Sequence, residues 1–438
     1  MKNSKKLLAI IIAAVMICSV SALIACNGGL PTKLLVPEVT ISETGVASWK
    51  AVEGAVSYGY KINGGEEQKT TDTFVTLQDG DSIAVRAISD GKTRLNSNYS
   101  EAKTYTQPVV YGLPMPEAGY YMANADVIEE NETTRYLVYT TNETAAENYN
   151  MIAVRKGEKT ENGWLYGEEN AAIRGADGKW DNYVGSASMV KGTFKMGETD
   201  YNYLIAYSAT DDANDKAQQI GLAVATDPMG EWVKVGTSPV IAFDKKQYGA
   251  TSVGCYAPSV VNYDKQSAIR VFYTYADVYG HFAYMWDADL SDLNDISGQT
   301  AMLPTEGNLH SGDAVLMFPN ADFVYDEVNK TFYTVKDYSP SASDAKPYFA
   351  NKIELGVIDE AELYTIEIGK GWESLREYDF IDCETEYERL YSASIVSDAY
   401  GHKLAGDMEI VYNVCKTASQ NADYLYTQIL HTVTYTAE

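Results

Sequence analysis

Apolar and polar residues alternate in short runs along most of the chain, and each run ends in turn-forming residues. Residues 46–49, 57–62, 73–77 and 82–87 are such runs, and Asn63-Gly64 and Asp79-Gly80 mark tight hairpin turns between them. This pattern predicts a small β-sandwich over 33–106 with Trp49 in its core. Beyond residue 115 the pattern changes scale. An alanine followed closely by valine, isoleucine or another apolar residue recurs about every 65 residues. The five segments are Ala125-Asp126-Val127-Ile128, Ala187-Ser188-Met189-Val190, Ala257-Pro258-Ser259-Val260, Ala321-Asp322-Phe323-Val324 and Ala393-Ser394-Ile395-Val396. A second, aromatic-rich strand follows each, as in Tyr136-Leu137-Val138-Tyr139 and Tyr203-Leu204-Ile205-Ala206-Tyr207. A twisted sheet of this kind buries both faces only by packing on others around an axis, so residues 115–438 are expected to form a five-bladed β-propeller. A stack of sandwiches would repeat nearer ~100 residues. The fold class is therefore all-β, a sandwich followed by a propeller whose first strands line the axis.

Charge narrows the partners. The formal net charge of −27 repels phosphate backbones, which excludes nucleic acid as a natural ligand. Tyrosine outnumbers phenylalanine 35 to 10, so most aromatic surface carries a hydroxyl, which suits polar, sugar-like ligands. At the N-terminus Lys2, Lys5 and Lys6 precede an apolar run from Leu7 to about Val20, the layout of a secretory signal. Its end, Leu23-Ile24-Ala25-Cys26, resembles the bacterial lipoprotein lipobox. That resemblance implies a signal peptide over 1–26, a lipid anchor on Cys26, and a protein secreted and held at the bacterial cell surface, touching the membrane through the anchor alone. Of the remaining cysteines, Cys255, Cys383 and Cys415 form an odd set with no zinc spacing, which reads as scattered buried thiols, with one disulfide pair left open.

Two further resemblances involve the folded segments. The buried tryptophan, the tyrosine-rich strand and the Leu77-x-x-Gly80-x-x-Ile83-x-Val85-x-Ala87 ending resemble a fibronectin type III domain. Ile83 stands where that family usually has a tyrosine near the start of the penultimate strand. The run Ile220-Gly221-Leu222-Ala223-Val224-Ala225-Thr226-Asp227-Pro228-Met229-Gly230-Glu231-Trp232 resembles the five-bladed family-43 glycoside hydrolases. So do Tyr256-Ala257-Pro258-Ser259-Val260 and Ile395-Val396-Ser397-Asp398-Ala399-Tyr400-Gly401.

Glycoside hydrolysis needs two carboxyl groups flanking the sugar, about 5 to 10 Å apart. The resemblance implies a base aspartate opening blade one, an orienting aspartate opening blade three, and an acid glutamate opening blade four. Asp126 is expected at the first position. Ala257 stands at the second, and Asn320-Ala321-Asp322 at the third, so the acid is replaced by Asn320 or displaced to Asp322 or Asp313. The fifth-blade histidine falls near Ser392. One retained carboxylate suits sugar binding better than hydrolysis. Candidate catalytic residues are Asp126, Asp313 and Asp322, and candidate sugar contacts are Trp180, Tyr183, Tyr256, His310, Asn320 and Tyr391. Asp211-Asp212-Ala213-Asn214-Asp215 offers oxygen donors that suit a structural calcium, but without EF-hand spacing a solvated turn is the plainer reading. No other cofactor or metal is implied. The leading expectation is a surface-anchored, carbohydrate-binding protein for an oligo- or polysaccharide. An active glycosidase releasing arabinose, xylose or a related sugar, and an adhesive protein-binding lipoprotein, stand as alternatives.

Overall fold

The computed structural model describes all residues except 1–30, 43–44, 107–110, 147–149, 249–250, 311–316, 339–349, 365–369, 381, 384–386, 388, 416–427 and 438. The expected signal segment, Cys26 and Asp313 lie outside the described residues. The chain divides into two compact units, Met1–Val109 and Val110–Glu438.

The first unit is a two-sheet sandwich. One sheet orders Thr40–Ile41, Val46–Ser48 and Phe74–Thr76, and the other orders Gln68–Thr70, Ala55–Ile62, Ser82–Ser89 and Lys103–Thr104. Strand Ser82–Ser89 shows why the alternation folds this way: Ile83, Val85 and Ala87 are fully buried while the residues between them are partly exposed. Trp49 sits in the core edge-on to Tyr58, with ring centroids 5.4 Å apart. The Tyr58 hydroxyl accepts the backbone N–H of Val52 at 2.8 Å, so a tyrosine ties down a chain corner here although Ile83 cannot.

The second unit is a five-bladed propeller. The five sheets follow one another in sequence, and their first strands are Ala123–Asn131, Tyr183–Met196, Gly254–Asn262, Asp322–Asp326 and Arg389–Ile395. Each first strand touches the first strands of both neighbouring blades, and the last touches the first, which closes the ring. Each seam between blades has its own hydrophobic core. The second strand of blade two shows how sequence alternation feeds two seams at once. Tyr203, Ile205 and Tyr207 pack against blade one, while Leu204 and Ala206 pack against blade three. Cys255, Cys383 and Cys415, expected to be buried thiols, are all buried.

The far end of the axis is closed by the chain itself. After its first strand, blade five runs under the hub. Ser397 pairs with Ile128 of blade one, Lys191 N of blade two donates to Ala399 O at 2.6 Å, and Asn262 N of blade three donates to Tyr400 O at 2.8 Å. Tyr325 N of blade four donates to Gly401 O at 3.1 Å, and the buried His402 ring bonds Asn262 O at 2.9 Å. One short segment thus joins all five blades. Gly401 is required where it crosses: its φ is +78°, and an added Cβ would lie 2.4 Å from Val260 O.

Candidate functional site

The first strands begin at the opposite end of the axis, and each enters with the same short motif. Asn124-Ala125-Asp126, Ser186-Ala187-Ser188, Ala257-Pro258-Ser259, Asn320-Ala321-Asp322 and Ser392-Ala393-Ser394 occupy equivalent places. The backbone fixes this alignment. Asn124, Ala257, Asn320 and Ser392 all take the left-handed conformation, with φ between 48° and 49°, and β-bulges follow in blades one, three and five. Pro258, not Ala257, is therefore the counterpart of Ala125, Ala321 and Ala393. The sequence repeat had paired Ala257 with those alanines, one residue out of register.

The left-handed residues form the rim of the mouth. Their backbone N–H groups are held by side chains of the preceding blade: Asn124 N by Asn413 Oδ1 at 2.7 Å, Ala257 N by Ser186 Oγ at 3.0 Å, and Ser392 N by Asp337 Oδ1 at 2.7 Å. Asp337 also accepts from Asn320 Nδ2 at 2.7 Å, and Ser392 Oγ donates to Asn124 Oδ1 at 2.6 Å. The rim is thus a linked set of amides and hydroxyls with a bare position at Ala257.

Two residues further in, a ring of side-chain oxygens ties each blade to the next. Met189 N donates to Asp126 Oδ2 at 2.8 Å, Val260 N to Ser188 Oγ at 3.1 Å, Phe323 N to Ser259 Oγ at 2.9 Å, and Ile395 N to Asp322 Oδ2 at 2.8 Å. The equivalent residue of blade five, Ser394, is buried and its hydroxyl has no partner among the described residues. Burial pushes the Asp126 carboxyl above the usual carboxylate range. It pushes Asp322 up too, where the Asp126 charge adds to the effect. Asp337, enclosed beside the rim, is pushed up to about 7 by burial, against the opposing hydrogen bond from Asn320. Between rim and ring the hollow measures about 30 Å³, room for a water molecule rather than a sugar ring.

The other candidates fall in three places. Asn320 is on the rim. Tyr183 opens the first strand of blade two, and Tyr256 opens that of blade three, where its hydroxyl shares a 2.8 Å hydrogen bond with His281 Nδ1. His310 lies flat on Tyr338 with centroids 3.7 Å apart, and its backbone N–H donates to Glu354 at 2.9 Å. Trp180 and Tyr391 serve packing: Trp180 stacks on Tyr207 over the bare Cα of Gly221, and Tyr391 is buried against Gln428. Asp126, the residue the family-43 resemblance implies as the base, stands two residues past the left-handed rim residue Asn124. The polar turn at 211–215 is held by its own bonds: Asp212 accepts from Asn214 N at 2.8 Å, and Asp211 pairs with Lys245 at 2.5 Å.

Sequence reasoning did not single out Ser188, Ser259, Ser394, Asp337 or Asn413. The signal for the serines was present, since Asp or Ser follows the small residue in every repeat. Asp337 and Asn413 end or lie within second strands and carry no repeated motif.

No family model matches this chain, and no curated protein matches it. Several solved structures are similar to it at low TM-scores. The catalytic domain of a Coprinopsis cinerea family-62 α-L-arabinofuranosidase is similar at a TM-score of 0.49 and 10% identity, over 75% of this chain and 94% of that one. A family-117 glycoside hydrolase of Zobellia galactanivorans is similar at 0.48 and 14%, over 74% and 88%. A thermostable family-43 glycoside hydrolase is similar at 0.45 and 14%, over 74% and 92%. Likeness of this depth leaves activity to be argued from the chain's own side chains.

Proposed function

We propose that the propeller binds a neutral glycan at its rim and does not hydrolyse it by the paired-carboxylate route. The observation that carries this reading is the register of the five entry motifs. With Pro258 aligned to Ala125 and Ala321, the places equivalent to Ala257, where the resemblance implies the second carboxyl group, hold Asn124 in blade one and Asn320 in blade four. Amides and hydroxyls donate to and accept from sugar hydroxyls, but none of these side chains can supply the two proton transfers that hydrolysis requires. Asp126 and Asp322 each accept a backbone N–H inside a hollow too small for a sugar ring. They therefore act as blade fasteners.

In this reading the signal segment and Cys26 anchor the chain at the cell surface. The N-terminal sandwich is a fibronectin type III-like spacer, an assignment supported by its strand order, three strands facing four. The rival reading, a hydrolase using Asp126 as base, has one feature in its favour: Asp126, Asp322 and Asp337 all have their carboxyls raised towards neutral pH, a property of catalytic bases and acids alike. Affinity electrophoresis through gels containing arabinan, arabinoxylan and other neutral polysaccharides tests the proposal, together with a reducing-sugar assay on the same substrates. Retardation without sugar release is the expected result. Sugar release that disappears in Asp126→Asn would establish the hydrolase instead.

A further inference from the structure

A much larger hollow than the one at the mouth is away from the axis. It measures about 650 Å³ and lies on the flank of blade three, bounded by Tyr263, Arg270, Asp287, Asp289, Ser297 and Gln299. That is the size of a small-ligand site, and some twenty times the hollow at the rim. Its polar groups are fixed in advance. Arg270 forks onto Asp287, with Nε to Oδ1 at 2.6 Å and Nη2 to Oδ2 at 2.9 Å. The Tyr364 hydroxyl bonds Arg270 and also donates to Asp287 Oδ2 at 3.3 Å, while the residue remains 60% exposed. Arg270 is packed among the rings of Tyr263, Phe272, Phe332 and Tyr364, so this network does not swing.

We propose that this flank hollow is a second glycan site, which holds a stretch of neutral polysaccharide apart from the axis. The ligand class follows from the charges and shapes present. Asp287 takes the Nε and Nη2 donors of Arg270 and balances its charge, the buried Nη1 having no partner among the described residues, and Asp289 adds a second carboxylate, so an anionic ligand would meet net negative charge. Asp287, whose side chain is 39% exposed, retains lone pairs towards the hollow, and Gln299 both donates and accepts, a set suited to vicinal hydroxyls. Outside the lining itself but bonded to two of its residues, Arg270 and Asp287, the exposed Tyr364 ring offers a face for the C–H surface of a sugar that extends past the hollow. The inference rests on the glycan reading for its ligand class but not on the rim as the place of binding.

The test is isothermal titration of the full chain with linear arabino- and xylo-oligosaccharides of about four to six units, a length that fills a cleft of this size. Three variants accompany the wild type. Tyr364→Ala removes the exposed ring, Gln299→Trp fills the hollow from an exposed strand, and Asn320→Gly strips the rim amide while keeping its left-handed backbone. Unchanged melting confirms that each is folded. The expected result is binding that Tyr364→Ala and Gln299→Trp each weaken at least tenfold at one site, while Asn320→Gly leaves that site intact. Binding lost in Asn320→Gly but unaffected by both flank variants overturns the flank site and leaves the rim reading standing. Binding lost in the flank variants alone upholds the flank site and removes the rim as the place of binding. No heat with any probe, or heat only with spermidine as a cationic control, overturns both.

Discussion

The two ends of the propeller axis are built from the same five strands and solve opposite problems. At the far end the backbone of residues 397–403 makes bonds to four other blades and leaves no gap; at the mouth five side chains meet around a small polar hollow. The closed end obtains cohesion from main-chain hydrogen bonds, which tolerate changes of side chain but not of backbone shape. The mouth does the reverse. It holds four residues other than glycine in the left-handed conformation, each at some cost, and thereby turns amides and hydroxyls towards the axis. Strain is gathered at the end where a ligand can reach it, and the stabilising contacts are gathered at the other.

The sharpest way to break this comparison is Gly401→Ala. A methyl group there would lie 2.4 Å from Val260 O on a backbone with φ of +78°, so the crossing must shift and the bonds to blades three and four are lost together. The expected cost is ~3 kcal/mol or more, read as a melting temperature about 5 °C lower or worse. Gly406→Ala provides the control. Its φ is +85° but open space surrounds it, so only the conformational cost of roughly 1 kcal/mol applies.

The next effect separates fasteners from catalysts at the inner ring. Asp126, Asp322 and Asp337 have folded-state carboxyls raised above their unfolded value, so in the interval between the two the folded chain binds more protons than the unfolded one. Stability contributed by these groups is then full below the ordinary carboxylate range and is lost as pH rises towards about 7, where Asp337 ionises. Thermal melting from pH 5 to pH 8 should show the melting temperature falling across that window. Asp126→Asn should flatten the slope and melt no lower than wild type at pH 8, because the amide oxygen can still accept from Met189. A variant that keeps the full slope would remove Asp126 from this role.

A smaller effect compares the ring's five members. Ser188→Ala and Ser259→Ala each strand a backbone N–H of the following blade and should cost about 1–2 kcal/mol. Ser394→Ala removes a buried hydroxyl that has no partner among the described residues and should be neutral or slightly stabilising. Chemical denaturation of the three variants side by side distinguishes a working ring from a coincidence of sequence. Equal losses at all three would mean the ring closes through Ser394 as well.

The sequence made the wheel legible because aromatic second strands recur at a nearly even spacing, and both-face burial needs no knowledge of the neighbours. Trp49 and the alternation around Ile83 were legible for the same reason. The rim was misread by one residue because Ala257-Pro258 offers two small apolar residues where other blades offer one alanine. The choice between them depends on which takes the left-handed conformation, a property of backbone rather than of composition. Asp126 was legible as a candidate because aspartate at a strand entry suits catalysis and fastening equally; its bond to the N–H of Met189, more than sixty residues away, was not. The crossing at 397–403 carried no periodic signal at all, since its bonds go to four strands distant in sequence.

The smallest expected effect returns to the mouth and tests whether its strain is bound to its function. Ala257 holds a φ of 49° with no polar side chain to show for it, unlike Asn124, Asn320 and Ser392. Ala257→Gly removes the penalty for an L-residue in that conformation, about 1–2 kcal/mol, and adds back roughly 0.5–1 kcal/mol of unfolded-chain entropy. A gain between nothing and about 1.5 kcal/mol should therefore remain, with glycan retardation unchanged because no donor or acceptor has been lost. If the glycine variant binds more weakly instead, the methyl group of Ala257 is itself a contact for the sugar, and the bare gap in the rim is part of the binding surface.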